Sequence, residues 1–308
     1  MDTQRKVFPG ILHHCYQNTV RGDLLFYTTS DYLVFFSHLC VAAKRYAVQV
    51  LSLALMPDHI HGSYMVRQRE ALSLFVGAYT RTFSRTHNAL CHHDGPLFNS
   101  PFGSAPKRGD KAARSNLIYV GNNPVERRLV SRAEDYPWNF LAYATSTHPF
   151  SPELKIREAS PAMRRAIQTV RSLAKQDTPL NYTLLQRIAA PLDRVEKKQL
   201  ADFVVCQYNV IDYQAASRFF DSYDDMLAAM HASTGSEHDL NEIFIGTSDA
   251  YYAKMTQVIM REVHPEDIHD ILGLSLDEKY ALFQLLRKHT TALARQIAKY
   301  LRMPLEIA

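Results

Sequence analysis

Apolar residues in the first part of the chain recur with the periods of short strands and amphipathic helices. β-Forming residues over 10–20 predict a first strand, and apolar residues at helical spacing predict a helix that begins at a cap, Ser30 or Asp31. Strand-like runs follow over 48–56 and 60–66, with only a brief interruption between them. The pattern therefore predicts a strand, a helix and then two strands.

A second helix and a third follow these strands. Residues 69–90 predict an amphipathic helix, and 94–112 predict a loop because this stretch is dense in Gly and Pro. A further helix begins near Ala113, and we expect it to stop at or before Asn123 because Pro124 cannot continue it cheaply. The apolar face of the helix over 69–90 consists of Leu72, Phe75, Val76, Tyr79 and Phe83.

The order of these elements, with a possible closing strand, predicts an α+β domain with an antiparallel sheet. We expect this domain to cover residues 1–147, because a linker rich in Pro, Ser and Thr occupies 145–155. The remainder, 148–308, has helical periodicity throughout and predicts an all-helical C-terminal region.

The last segment, near 275–304, resembles part of a helix-turn-helix. Ser275 and Glu278 form a capping-box pattern before an apolar run, and a short helix follows after a tight break. The chain ends where a recognition helix is expected, so the element that contacts DNA is either missing or replaced by an earlier helix.

Charge is distributed unevenly along the chain. Residues 1–147 contain 16 Lys and Arg against 10 Asp and Glu, whereas the whole chain has a formal charge of only +4. Six basic residues and no acidic residue lie between Lys279 and Arg302. This distribution is compatible with a nucleic-acid partner but does not establish one.

Other features of the composition indicate a soluble protein of a reducing compartment. The four cysteines form no C-x-x-C pair, no apolar run is long enough to span a bilayer, and the N-terminus lacks the apolar core of a signal peptide. We therefore expect a cytoplasmic, nucleoid-associated protein with no membrane partner. The triplets His13–Cys15 and Cys91–His93 resemble zinc ligands, but their spacing makes a closed zinc site an unfavoured interpretation.

His59 and His61 are separated by one residue in a strand-like run. Side chains at i and i+2 of a strand point to the same face, so both imidazoles project together. Such a pair can bind a divalent metal, and it can equally be a hydrogen-bonded structural pair.

Tyr119 and Asn123 lie four residues apart in the third predicted helix. This spacing places both on one face, where a phenol can act as a nucleophile and an amide oxygen can complete a metal shell. The alternative is an ordinary packed aromatic residue followed by a residue near the helix end, since the chain has 17 tyrosines.

Three motifs in order resemble one family. "LMPDHIH" (55–61), "YVGNNPVERRLV" (119–130) and "EDYPW" (134–138) are similar to the single-tyrosine HUH transposases, which include insertion-sequence-200-like and REP-associated enzymes. The resemblance spans about residues 8–143. It implies a ferredoxin-like fold for the α+β domain.

The resemblance also implies a site and a reaction. His59, His61 and Asn123 would hold Mg²⁺ or Mn²⁺, and Tyr119 would attack single-stranded or hairpin DNA to form a 5′-phosphotyrosine. The enzyme would then be a transposase or a domesticated relative that cuts and rejoins DNA. Some members of the family are dimers, so a homodimer is a further possibility.

Two positions depart from the family pattern. Asp58 replaces the Asn that commonly precedes the first histidine, and Gly62 and Ser63 stand where leucines are usual. Asp58 could hydrogen-bond a ligand imidazole or bind the metal itself.

Basic residues near the expected site are candidates for phosphate contacts, although they could equally form a solvated surface. These candidates are Arg81, Arg85, Lys107, Arg108, Lys111 and Arg114. Two other functions remain open beside the transposase: a DNA-binding regulator that no longer cleaves, and a metal-dependent hydrolase that uses water and does not need Tyr119.

Overall fold

A four-stranded antiparallel sheet lies at the centre of the N-terminal part. The computed structural model describes residues 6–91, 94–233 and 248–304. The sheet has the order β2-β3-β1-β4, with strands β1 (Leu12–Asn18), β2 (Gln49–Leu55), β3 (His59–Met65) and β4 (Gly103–Lys107). Helix α1 (Thr29–Arg45) connects β1 to β2, and α2 (Arg69–Leu90) connects β3 to β4. This β-α-β-β-α-β order is the ferredoxin-like topology, and the α+β prediction is confirmed.

The two faces of the sheet carry different residues. Ile60 and Tyr64 of β3 point into a large apolar cluster with α1 and α2. The alternate residues, His59, His61 and Ser63, point to the opposite face, called here the histidine face. Helix α3 (Gly109–Glu126) packs on the histidine face, where Asn116 Oδ1 accepts a hydrogen bond of 2.8 Å from Ser63 Oγ.

The first helix begins earlier than its sequence predicts. Thr28 is the N-cap, and its hydroxyl accepts a hydrogen bond from Asp31 N. The Asp31 carboxylate accepts from Thr28 N at 2.7 Å, which completes a capping box. The predicted cap at Ser30 or Asp31 is therefore wrong. Residues 28–31 are all of types that can cap a helix, and only the pair of hydrogen bonds between Thr28 and Asp31 identifies Thr28 as the cap.

Two boundaries near α3 also differ from prediction. Strand β4 lies inside the predicted loop over 94–112; Pro106 is compatible with it because β4 is an edge strand. Helix α3 passes through Pro124 and ends at Glu126, so the predicted stop at Asn123 is wrong. Pro124 removes one helical hydrogen bond only two residues before the helix ends, so little helix remains for it to distort.

The described part of residues 148–308 consists of helices and the loops between them, as predicted, apart from an isolated bridge between Ile211 and Val50. Short 3-10 segments occupy Val20–Gly22, Ala133–Asp135, Pro137–Asn139, Leu141–Ala144 and Ile268–Gly273. The helices are α4 (Pro161–Lys175), α5 (Tyr182–Ala189), α6 (Arg194–Tyr208), α7 (Tyr213–Ser217), α8 (Tyr223–Ala232), α9 (Ala250–Glu262), α10 (Leu276–His289) and α11 (Ala294–Leu301). No helix within the described ranges is long and apolar enough to cross a membrane.

The helical region packs on the sheet domain in three places, one of which is a cluster that α7 and α8 form with α3 and the sheet. Helices α4–α6 share the large cluster of α1, while α9–α11, called here the C-terminal unit, enclose Leu24 and Tyr27 in a second cluster. The capping box of Ser275 and Glu278 is present at the start of α10. The domain boundary at residue 147 and a DNA-binding role for α10 and α11 stay predictions.

Candidate functional site on the histidine face

Side chains from three elements meet on the histidine face. The His61 ring lies between the rings of His59, at 4.8 Å between centroids, and Tyr119, at 5.4 Å. The Tyr119 ring is also 5.5 Å from the ring of His14 on β1. The structure thus brings together both predicted histidines and the predicted tyrosine, and it adds His14.

The local folding of β3 and α3 explains this convergence. Strand β3 begins at His59, directly after the tight turn that joins it to β2. Side chains alternate between the two faces of a strand, so His59 and His61 point to the same face. In α3, Tyr119 and Asn123 are one turn apart, and Asn123 Nδ2 lies 3.5 Å from the Tyr119 hydroxyl, to which it donates. The same helix is anchored to β3 through Asn116 and Ser63.

Asp58 fixes the orientation of the His59 ring. Its Oδ1 lies 2.5 Å from His59 Nδ1, and both side chains are buried. A carboxylate accepts the Nδ1 proton, so the lone pair of the neutral ring is on Nε2. His59 Nε2 is buried and has no hydrogen-bond partner among the described residues. A carboxylate–histidine pair of this kind is the usual outer support of a metal ligand.

His14 is a member of the site that the sequence did not predict. Its Nε2 lies 3.0 Å from His61 Nδ1, and both rings are fully buried. If His61 Nδ1 donates this hydrogen bond, its Nε2 keeps the lone pair that a metal ligand needs. The sequence placed His14 only in a zinc-like triplet; its place beside His61 depends on the pairing of β1 with β3.

The donor set fits a divalent cation with water among its ligands. Two imidazole nitrogens and the Asn123 amide oxygen form a nitrogen and oxygen set that Mn²⁺ accepts, and Mg²⁺ could bind with more of its shell supplied by water and phosphate. Asn123 Oδ1 is buried and, within the described ranges, has no hydrogen-bond partner. In the described part of the chain, no group of three or more His, Cys, Asp or Glu side chains is arranged to hold a metal ion. A cation on the histidine face would therefore also need the Asn123 amide oxygen and water as ligands.

The C-terminal unit brings charged groups to Asp58. Lys299 on α11 donates to Asp58 Oδ2 in a short ion pair. Burial alone would raise the pKa of the Asp58 carboxyl, but its contacts with His59 and then with Lys299 hold it well below its usual range. Asp249, directly before α9, lies in the same charge cluster, where burial and then the charge of Asp58 raise its pKa to about 6.

The site is closed in this structure. Tyr119 is 6 % exposed, and His59, His61 and Asn123 are 4 % exposed or less. Little of the Tyr119 side chain is therefore open to a large ligand in this structure.

The predicted phosphate-binding residues lie in two places. Arg81 and Arg85 are exposed on α2, which packs on the sheet face opposite to the histidines. Any DNA contact there is separated from Tyr119 by the sheet. Their role in DNA binding stays a prediction.

The other four basic residues lie around the start of α3. Arg108 and Lys111 are exposed, and the Arg108 guanidinium lies over the Phe8 ring at 4.3 Å. Lys107 is buried at the end of β4. Arg114 donates to Phe219 O at 2.8 Å and so contributes to the packing of α3. Their DNA contacts also stay predictions.

The first zinc-like triplet, His13–Cys15, does not act as a unit. His14 and Cys15 point to opposite faces of β1, since Cys15 belongs to the cluster of α1 and α2. His13 Nε2 accepts from Phe8 N at 3.1 Å, which is a structural contact. His92 and His93 of the second triplet lie outside the described residues.

Comparisons with known proteins give one structural similarity. No family model matches the chain, and no curated protein matches it. The structure is similar to that of a REP-associated tyrosine transposase solved bound to a REP hairpin, with 13 % sequence identity and a TM-score of 0.38. The match covers 50 % of this chain and 93 % of the other. The functional argument below rests on the residues of the site and not on this match.

Proposed function

We propose that the protein cleaves and rejoins single-stranded DNA through a covalent link to Tyr119. The observation that carries this proposal is the convergence of Tyr119 and Asn123 with His59 and His61, in which two potential metal-binding atoms are buried. Those atoms, His59 Nε2 and Asn123 Oδ1, have no hydrogen-bond partner among the described residues. Burying such groups without a partner costs free energy, so a ligand at this place is a physical expectation.

His59, His61 and Asn123 would hold the divalent cation, Mn²⁺ or Mg²⁺. The bound cation would supply Lewis-acid polarisation of the scissile phosphate. Asp58 orients the His59 ring, and Asn123 Nδ2 orients the Tyr119 hydroxyl. Asn123 would thus contribute to the metal site through Oδ1 and to the position of the nucleophile through Nδ2.

The Tyr119 oxygen would attack phosphorus in line with the bond to the 3′ oxygen. The new bond joins the phenol oxygen to phosphorus, the bond from phosphorus to the 3′ oxygen breaks, the phenol loses its proton and the 3′ oxygen gains one. The product is a 5′-phosphotyrosine and a free 3′-hydroxyl. Because one ester replaces another, attack by a second 3′-hydroxyl restores a DNA strand without a nucleotide cofactor.

The substrate class follows from the resemblance of the three sequence motifs to single-tyrosine transposases. A strand that folds into a hairpin with single-stranded flanks is the DNA to test first. The protein would act on it either as a transposase or as a domesticated relative.

A covalent-trapping assay tests the proposal. Labelled hairpin strands are incubated with the full chain and Mn²⁺ or Mg²⁺, and a denaturing gel separates protein-linked label from free DNA. We expect a labelled protein band that disappears with EDTA and with Tyr119→Phe. Tyr280→Phe is the matched control, since Tyr280 is 46 % exposed on α10 and its ring stacks on Phe283 of the same helix.

The non-cleaving regulator is the second candidate, and the closed site favours it. A tyrosine that is only 6 % exposed leaves a phosphate little access to its side chain. Hairpin binding without a covalent band, over a panel of hairpins and both metals, would support this alternative. Cleavage without a covalent band that survives Tyr119→Phe would instead support a hydrolase.

A further inference from the structure

The C-terminal unit reaches the candidate metal site through one side chain. Lys299 on α11 forms an ion pair with Asp58, 241 residues away in the sequence. Asp58 is the residue that accepts from His59 Nδ1. The three side chains form a chain from α11, through the turn before β3, to an imidazole of the candidate site.

Each oxygen of the Asp58 carboxylate has its own partner. Oδ1 faces His59 and Oδ2 faces Lys299, so the carboxylate cannot rotate without breaking one contact. The side chain of Asp58 is 9 % exposed and that of Lys299 is 26 % exposed. A carboxylate in such an environment requires a counter-charge, and Lys299 supplies it.

We propose that Lys299 is a positioning residue of the metal site, which it supports by holding Asp58 in the orientation that directs His59 Nε2 toward the cation. This inference rests on the proposed function and deepens it. The C-terminal unit then completes the catalytic domain and is more than an appended DNA-binding module. Loss of Asp58, the direct outer partner of His59, would typically lower metal affinity about 10–100-fold, and loss of Lys299, which acts through Asp58, should lower it by no more than that.

The test measures Mn²⁺ binding directly, by the loss of the free-ion signal in electron paramagnetic resonance. Lys299→Met keeps the length of the side chain and removes its charge, and Lys299→Arg keeps the charge. We expect Mn²⁺ affinity to fall by about 10-fold, the lower end of the range for an outer partner, in Lys299→Met and to be largely retained in Lys299→Arg. Lys288→Met, at an exposed position of α10 in the same unit, is the matched control and leaves the affinity unchanged.

A second measurement separates positioning from general destabilisation. If Lys299 acts through metal affinity, covalent trapping by Lys299→Met returns to the wild-type level at saturating Mn²⁺. Thermal unfolding of each variant shows whether the fold is intact. If Lys299→Met melts early, the Mn²⁺ affinity of Lys299→Arg is compared with that of the wild type instead.

The outcomes distinguish this inference from the proposed function. Mn²⁺ binding that depends on His59 and His61 but is the same in Lys299→Met would overturn the inference alone. Mn²⁺ binding that is indifferent to both histidines would overturn both. Stronger trapping by Lys299→Met at unchanged Mn²⁺ affinity would show that the ion pair restricts access to the site, and it would also overturn the inference.

Discussion

His14 Nε2 and His61 Nδ1 lie 3.0 Å apart in the sheet, although 47 positions separate the two residues in the sequence. The contact links β1 to β3 and places the His14 ring against the edge of Tyr119. When one ring nitrogen of a histidine donates a hydrogen bond, the lone pair that can bind a metal is on its other ring nitrogen. When His61 Nδ1 donates this hydrogen bond, His14 holds the His61 ring in the tautomer with its lone pair on Nε2, as Asp58 does for His59.

Replacement of His14 tests this support. We expect His14→Ala to lower Mn²⁺ affinity and the yield of covalent trapping about 10–100-fold, because the His61 ring loses the partner of its Nδ1. His13→Ala is the matched control: His13 is the same residue type on the same strand, and its contacts are with Phe8 and Ile11. Equal losses in both variants would mean that β1 has merely been weakened.

A buried ion pair joins the C-terminal unit to α1. His269 Nε2 lies 2.9 Å from Asp31 Oδ1, and its Nδ1 lies 2.5 Å from Asp267 Oδ1. Burial alone would lower the pKa of His269, but the charge of Asp31 and then the contact with Asp267 raise it to about 10. Burial alone would raise the pKa of Asp31, but the positive charge of protonated His269 holds it well below its usual range.

The pH dependence of stability follows from these shifts. The unfolded chain releases the His269 proton near pH 6.5, whereas the folded chain keeps it to about pH 10. The contribution of His269 is thus fully present below pH 6.5 and is lost as the pH rises toward 10, at up to about 1.4 kcal/mol per pH unit. Asp31 contributes above its ordinary pKa of 3.8, and that contribution is lost as the pH falls below it.

Urea unfolding at several pH values checks this prediction. We expect His269→Asn to lower the free energy of unfolding by about 3–5 kcal/mol at pH 6, because it leaves the Asp31 carboxylate buried without its cation. The difference between the wild type and the variant should shrink as the pH approaches 10. A difference that is constant from pH 6 to pH 10 would show that the proton on His269 is not linked to folding.

Gly62 is required by the Tyr64 side chain. A Cβ atom at Gly62 would lie 2.0 Å from the Tyr64 hydroxyl oxygen, and Tyr64 is almost fully buried against Phe75. We expect Gly62→Ala to destabilise the fold by about 1–3 kcal/mol, because the ring must move within a packed core. Thermal melting of Gly62→Ala and of Gly62→Ala/Tyr64→Leu measures the effect, and the double variant should recover part of the loss.

Gly77 on α2 provides the opposite control. A Cβ there meets only the end of the Arg81 side chain, at 3.7 Å. Gly77→Ala should therefore stabilise the helix by about 0.5–1 kcal/mol. If Gly62→Ala lowered the melting temperature no more than Gly77→Ala does, the requirement for glycine at position 62 would have no steric cause.

Local periodicity predicts one part of the site and long-range pairing decides the rest. The period of two in β3 predicts that His59 and His61 share a face, and the helical period predicts the same for Tyr119 and Asn123. His14 joins them only through the register of β1 against β3, in which Tyr16 pairs with His61. Lys299 is brought to Asp58 because the C-terminal unit packs on Leu24 and Tyr27. No sequence spacing predicts the contact between Lys299 and Asp58.

The position of the boundary at residue 147 leads to a prediction about fragments. The large apolar cluster continues from α1 into α4–α6, and Leu180 N donates to Ser37 Oγ at 2.9 Å. Farther along, Asp212 N donates to Val50 O on the edge strand β2 at 2.8 Å. A fragment that ends at 147 loses these contacts and exposes both the apolar side of α1 and the edge of the sheet.

We therefore expect fragment 1–147 to aggregate or to melt without cooperativity, and fragment 1–233 to melt cooperatively. Fragment 1–233 keeps α4–α8 and lacks the C-terminal unit, so Asp31 loses His269 and the fragment should be less stable than the full chain. Thermal melting by circular dichroism, with size-exclusion chromatography as the check on aggregation, compares the three proteins. A soluble fragment 1–147 with a cooperative transition would show that the sheet and its three helices fold independently. In that case α4–α6 would be a separate layer added to a complete domain, as the linker over 145–155 predicts.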